Sequence, residues 1–375
     1  MAEILRYVDP NSTAGGDGTT NALTGASHAY VSLNAWEAAT QQDLTDGGGD
    51  TARVVCSSDD AGSTHAADTT AVVIDGWTDN ATCFITIESA SSHGGLWNDS
   101  IYRLAPVIAN AGSAIKNLEH YTRVIGLQVS TANAGDWYTT YGIFYFDVLG
   151  GIIARNLIKG PSGCASSAVR GIFVEYNNTG STAYVYNNIV YDVKASSDDQ
   201  TSISIRADNT SGAVRVFNNT IYGGNVGIAG DAKTYTRNNL IAACTTATSG
   251  LTAGNNDYNA TNLSALGYTT QTHDQVSKTF TFVNSGAKNF HLASNDAGAT
   301  GLGVDLSGDA NYLSLSTDID GQTRSGSWDI GADEYVAAVS AALTGTATAS
   351  ITENDITTGG KTIVITLTGD TFIAS

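Results

Sequence analysis

The 375-residue chain carries 41 Gly and only 3 Pro, with 42% hydrophobic and 14% charged residues. That hydrophobic share is too high for a disordered chain, and there is too little Leu, Glu and Lys for long periodic helices. A formal charge of −19, from 17 basic and 36 acidic residues, argues against holding nucleic acid by its phosphates and leaves an acidic exterior that is merely solvated or attracts divalent cations.

The opening MAEILRYVDPNSTAGGDG has neither the basic nor the apolar region of a signal peptide. No 18 apolar residues run together, so no membrane-spanning helix is expected. The expectation is a virion or extracellular-surface location reached without the usual secretory signal. SLNAWEAAT (32–40) is the one helical segment, amphipathic through Leu33, Trp36 and Ala39. Cys56 and Cys83 fall on neighbouring strand-like segments, RVVCSS and ATCFITIE. Buried free thiols are the default for these and for Cys164 and Cys244, with a Cys56–Cys83 disulfide as the alternative. ATCFITIESA, SAIKNLEH and TRVIGLQVS read as early, irregular repeats.

From Gly151 onward the repeat is explicit. An Asn-containing turn recurs in GIIARNLIKG, AYVYNNIVYDV, VRVFNNTIYGG, TYTRNNLIAAC and AGNNDYNA, at Asn156, Asn188, Asn219, Asn239 and Asn256, with steps of 32, 31, 20 and 17 residues. The short steps fit one bare coil and the long ones a coil with an inserted loop. Ile153, Val185, Val216 and Thr236 align as one column, and Ile158, Val190, Ile221 and Ile241 as another. β-Branched residues pack well over the same residue one coil away. Asn suits the turn because it tolerates left-handed backbone and its amide can bond the next coil's Asn. A second series, GIFYFD, GIFVEY, SISIRA and VGIAGD, precedes these strands in the same order. The pattern predicts an all-β, right-handed parallel β-helix, whose open first coil the 32–40 helix caps.

The opening YVDPNSTAGGDGT…AYVSLNAWEAA and the close FVNSGAKNFHLASND…DIDGQTRSGSWDIGADEY resemble the pectin-lyase-like β-helix family, the close being similar to its choice-of-anchor terminal motif. The resemblance covers residues 6–336. It implies either a polysaccharide lyase or glycosidase acting on acidic polysaccharide, or a non-catalytic surface protein, since function lives in sites grafted on a fold. The tail TATASITENDITTGGKTIVITLTGDTFIAS resembles small β modules of phage structural proteins. The expected organisation is a cap and first coil (1–45), the β-helix (46–336), and a linker with a short β tail for assembly (337–375).

The outward columns carry the candidate chemistry. Aligning Ile143, Ile172, Ile203 and Ile228 puts Phe146, Glu175, Arg206 and Asp231 in one column. A base and a cation of that kind suit a uronate lyase, and two carboxyls suit a glycosidase; a stabilising ladder of surface charges is the plainer reading. Trp137, Tyr138, Tyr141, Tyr145 and Tyr176, with Phe144, Phe146 and Phe173, form an aromatic cluster that can stack on sugars, cover the core or line a subunit interface. The histidines show no metal spacing, although His120 sits among Lys116, Glu119 and Arg123. Asp318, Asp320, Asp329, Asp333 and Glu334 are read as terminal turns and Asp–Arg pairs with Arg324, with Ca²⁺ as the alternative; no other cofactor is expected. The preferred reading is a virion-associated or surface-displayed structural or adhesive protein, a homo-oligomer with a trimer favoured, contacting other virion proteins or cell-surface glycans.

Overall fold

A computed structural model of the chain describes residues 2–58, 65–108, 111–133, 139–161, 168–176, 180–194, 202–209, 211–308 and 316–337. Residues 1–335 form one compact unit. Trp137, Tyr138, Cys164 and the tail beyond Ala337 lie outside the described residues.

Three parallel sheets run along this body. The first has nine strands, from Glu3–Val8 and Thr51–Cys56 to Asn256–Asp257; the second has seven, from Arg103–Leu104 to Ala260–Thr261; the third has seven, from Val72–Ile74 to Thr246–Ser249. The middle coils visit the three faces in turn, as in Thr182–Tyr186, Ile189–Tyr191 and Ile203–Asn209, before Ala213–Phe217 begins the next. This is a parallel β-helix. Both aligned columns hold: Ile153 pairs with Val185, Val216 and Thr236 follow, and Ile158, Val190, Ile221 and Ile241 stack likewise. All of these point into the core, where each is at most 1% exposed.

The Asn pair divides its labour at the bend between the first and second faces. The first residue takes the left-handed backbone: Arg155, Asn187, Asn218, Asn238 and Tyr258 have φ between 50° and 60°. The second is fully buried and links coils. Asn156 donates both its backbone N–H and its amide to Asn188 Oδ1 at 2.9 and 3.1 Å, and the pattern repeats through Asn219, Asn239 and Asn259. The ladder therefore ends on Asn259, a step of 20 residues from Asn239. Asn256 instead lies in the first face beside Thr236, where its Oδ1 accepts from the Thr236 hydroxyl at 2.8 Å.

The third face corrects the expected register. Ile172 pairs with Ile205, and Ile205 with Ile228, so Ile203 lies two residues off the column. The segment Ser-Ile-Ser-Ile reads the same at either register. Because side chains alternate with period two, a two-residue slip leaves every residue on its own side of the sheet. Hydrophobic pattern cannot detect such a slip.

The helix α1, Leu33–Thr40, forms as expected, with Ser32 Oγ accepting from Ala35 N at 3.0 Å. It packs on Glu3–Val8 and Val72–Ile74, the first strands of their faces. Leu33 and Trp36 are buried, but Ala39 is exposed and Glu37 takes the inner position. Glu37 accepts from Trp77 Nε1 and Asp75 N, so a polar residue is held where an apolar one was expected. Cys56, Cys83 and Cys244 are buried free thiols. Cys56 stands opposite Ser89 while Ala52 stands opposite Ile85, which puts Cys83 beyond the far end of the pairing and out of disulfide reach.

After the last coil, the chain folds back over the outer sides of the first two faces. Leu306 and Trp328 pack on Ile152, Tyr186 and Phe217, and Phe290, Ile319 and Ala332 on Leu157, Ile189 and Tyr191. Arg324, fully buried, pins this closing segment by donating to Gly331 O and Ala332 O, both at 2.9 Å, and to Glu334 Oε2 at 3.2 Å. Its ion-pair partner is thus Glu334 rather than an aspartate. Asp318 and Asp329 accept from backbone N–H groups of the surrounding turns.

Candidate functional site

The corrected register rearranges the outward charges of the third face. Glu175 stands opposite Phe146 on one side and Asp208 on the other, while Arg206 stands between Phe173 and Ala229. Asp231 follows the strand Val226–Ala229 and closes a turn, accepting from Lys233 N at 2.8 Å. Glu175, Arg206 and Asp231 therefore do not share a column. Arg206 pairs along its own strand with Asp208 at 2.6 Å. The two carboxylates that do neighbour each other are Glu175 and Asp208, on strands about 4.8 Å apart.

Inside this column lies a self-stacked aromatic group. Phe144 and Phe173 lie parallel with centroids 5.0 Å apart, and Tyr141 stacks on both, at 4.9 and 5.7 Å. The guanidinium groups of Arg170 and Arg206 each lie 5.2 Å from the Phe173 ring. Burial, with the neighbouring Arg206 charge, pulls the Arg170 pKa below its usual value. The rings spend their faces on one another and on cations; Phe144 and Phe173 are buried. Tyr145 points the other way, into the core, and its hydroxyl donates to Thr122 O and Ile152 O at 3.1 and 3.2 Å, so it faces no sugar. Only the backbone of Tyr176 is described, in the strand Val169–Tyr176.

The polar patch expected around His120 is dispersed. Lys116 faces outward beside Phe144, Glu119 accepts from Trp77 N, and Arg123 lies 3.5 Å from the Phe84 ring on the first face. Burial lowers the His120 pKa.

Two clefts lie where the closing segment meets the coils. The larger, about 590 Å³, is bordered by Trp97, Lys159, Tyr191, Asp192, Lys288 and Asn289, among others. Lys159 Nζ sits 5.4 Å from the Trp97 ring, and Lys288 pairs with Asp192 at 2.6 Å. Its volume is that of a small-ligand site, and it combines a half-buried indole with two amines and amide side chains. These residues come from an early loop, two coils and the closing segment. No spacing in the sequence marks them, and our reading of the sequence missed them. The smaller cleft, about 210 Å³, is lined by Glu88, His93, Arg155 and Asp320, with three serines. Beside it, His291, Asp320 and Asp333 bring one ligand atom each to within 4.8 Å of one another.

The sheets define the chain as a parallel β-helix, with a cleft where residues 283–289 meet the coils. Among solved structures it is similar to one described as "Crystal structure of pectate lyase Pel9A", at 11% identity and a TM-score of 0.35, over 89% of this chain and 97% of that one. A likeness of that size adds nothing to what the sheets themselves establish. No family model and no curated protein matches the chain.

Proposed function

We propose that the protein is a non-catalytic, glycan-binding β-helix, displayed on a virion or cell surface, that takes acidic oligosaccharides in the cleft of Trp97, Lys159, Tyr191 and Lys288. The observation that carries the reading is the placing of Lys159 over an indole in a concave cleft of about 590 Å³. The Lys159 amine, held beside the indole, suits a uronate carboxylate. In a chain of net charge −19, a cleft with two lysines and one aspartate is a local exception, and it selects anionic over neutral sugars.

The test is titration of Trp fluorescence with oligogalacturonate and alginate oligosaccharides, against neutral cello-oligosaccharides. Binding of an acidic oligomer, weakened at least about tenfold in Trp97→Ala and Lys159→Ala, is expected. The absence of binding to any acidic oligomer, or binding unaltered in both variants, counts against it.

A catalytic reading has one observation in its favour, the neighbouring carboxylates Glu175 and Asp208 beside Arg206. Their strand spacing of about 4.8 Å is near the roughly 5 Å separation used by retaining glycosidases. New reducing ends from an acidic polysaccharide, lost in Glu175→Gln and in Asp208→Asn, would replace the binding reading with this one.

A further inference from the structure

We propose that His291, Asp320 and Asp333 form a binding site for a divalent cation of the zinc or manganese class, clamping the closing segment together. The inference does not rest on the glycan reading. The three residues come from the strand Asn289–Leu292 and from two points of the turn-rich stretch after Ser316, so an ion held by all three would tie these pieces at one point.

The geometry of the imidazole is the first argument. His291 Nδ1 lies 2.6 Å from Asn289 Oδ1, which accepts from it and fixes the proton there. Nε2 faces Asp320, whose oxygens lie 3.0 and 3.2 Å away. The contact closes as an ordinary ion pair when the ring carries a second proton, or around a metal ion. A second proton on the ring would serve that one pair. A metal ion would use the convergent Asp333 carboxylate as well.

The supporting groups are already in place, as ligand-orienting partners are in metal sites. Asn289 orients the imidazole, and Leu292 N donates to Asp333 Oδ2 at 2.6 Å. Gly95, at φ of +63°, packs closely on the ring: a Cβ there would stand 2.7 and 2.8 Å from His291 Cε1 and Nε2. Asp320 also lines the cleft of about 210 Å³, which gives an ion and its waters a way in. One imidazole with two carboxylates suits zinc or manganese, whereas calcium favours oxygen ligands alone.

The experiment uses the full chain, stripped with chelator and dialysed against Zn²⁺, Mn²⁺ or Ca²⁺, with retained metal measured by mass spectrometry. About one zinc or manganese ion per chain should remain, and the unfolding midpoint should rise by about 2–4 °C or more. His291→Ala and Asp320→Asn should each weaken retention at least about tenfold. No retention, retention of Ca²⁺ alone, or retention unaltered in both variants overturns the proposal. Should a variant fail to fold, Co²⁺ added to the unaltered protein decides. Visible absorption bands of a low-coordinate histidine-bound ion support the site, and the weak spectrum of the hexaaquo ion overturns it.

Discussion

Asn219 Oδ1 accepts both the backbone N–H and the side-chain amide of Asn188, each at 3.0 Å, and Asn219 makes the same two donations to Asn239. Every rung is thus donor to one coil and acceptor to another, in a place no water reaches. Replacing Asn219 by Ala leaves two donors of Asn188 and the carbonyls of Val185 and Phe217 without this partner. At about 1–3 kcal/mol for each stranded buried group, partly relieved by relaxation, the loss should reach about 3 kcal/mol. Urea unfolding measures it, and a loss below about 1 kcal/mol would contradict the ladder.

The residue before each rung gives a contrasting test. Asn238 exchanges two hydrogen bonds with the Val304 backbone, at 2.8 and 2.9 Å. Asn218, equally buried, finds no side-chain partner among the described residues. Both hold left-handed φ, of 53° and 50°, which glycine adopts freely. Asn218→Gly should therefore stay within about 0.5 kcal/mol of the parent or exceed it, while Asn238→Gly should lose about 1–2 kcal/mol. Equal effects in the two variants would show that the Val304 contact does not hold the closing segment.

Arg324 should act as the pin of that segment. Arg324→Met keeps much of the volume but leaves Glu334 buried and without its cation. A loss of about 3–5 kcal/mol is expected for breaking one side of a buried pair. Limited proteolysis should then cut first within residues 282–335. Unchanged cleavage kinetics would refute the pin.

Acidity should stabilise the fold around its buried carboxyls. Burial, above all, raises Glu37 to about 7 and Asp79 to about 8, against about 4 in an unfolded chain. Folded carboxyls then hold protons that unfolding releases, so stability falls as pH rises through 7 and 8. In chelator-treated protein the melting midpoint should be higher at pH 6.5 than at pH 8.5. Glu37→Gln should narrow that gap; a flat or inverted dependence would be incompatible with these buried acids.

If the Trp97 cleft binds uronates through Lys159 and Lys288, affinity must fall with salt. Raising ionic strength from about 0.05 to 0.5 M should weaken oligouronate binding several-fold, while Lys159→Met should lose most of that dependence. Calorimetry at two salt concentrations measures both.

The Asn pairs show how legible the coils are in the sequence. Asn187–Asn188, Asn218–Asn219 and Asn238–Asn239 stand out because each pair meets two local demands at once, a left-handed turn and a buried amide contact. Where Tyr258 takes the first role, the pair disappears and the rung at Asn259 hides behind the decoy Asn255–Asn256. The charged column failed for another reason. Ser202-Ile203-Ser204-Ile205 repeats itself two residues on, so Arg206 was placed over Glu175 when it lies over Phe173.

The sequence by itself determined the parallel β-helix, the capping helix and the inward columns, because like residues recur wherever a coil repeats the same local environment. Only the tertiary structure decided the register of Arg206, the inward turn of Tyr145, and the meeting of Trp97 with Lys159 and Lys288. The repeated Ser-Ile hides the register of Arg206 from a hydrophobic pattern. The Tyr145 hydroxyl finds its carbonyls at Thr122 and Ile152, and the Trp97 cleft depends on where the closing segment comes to rest on the coils.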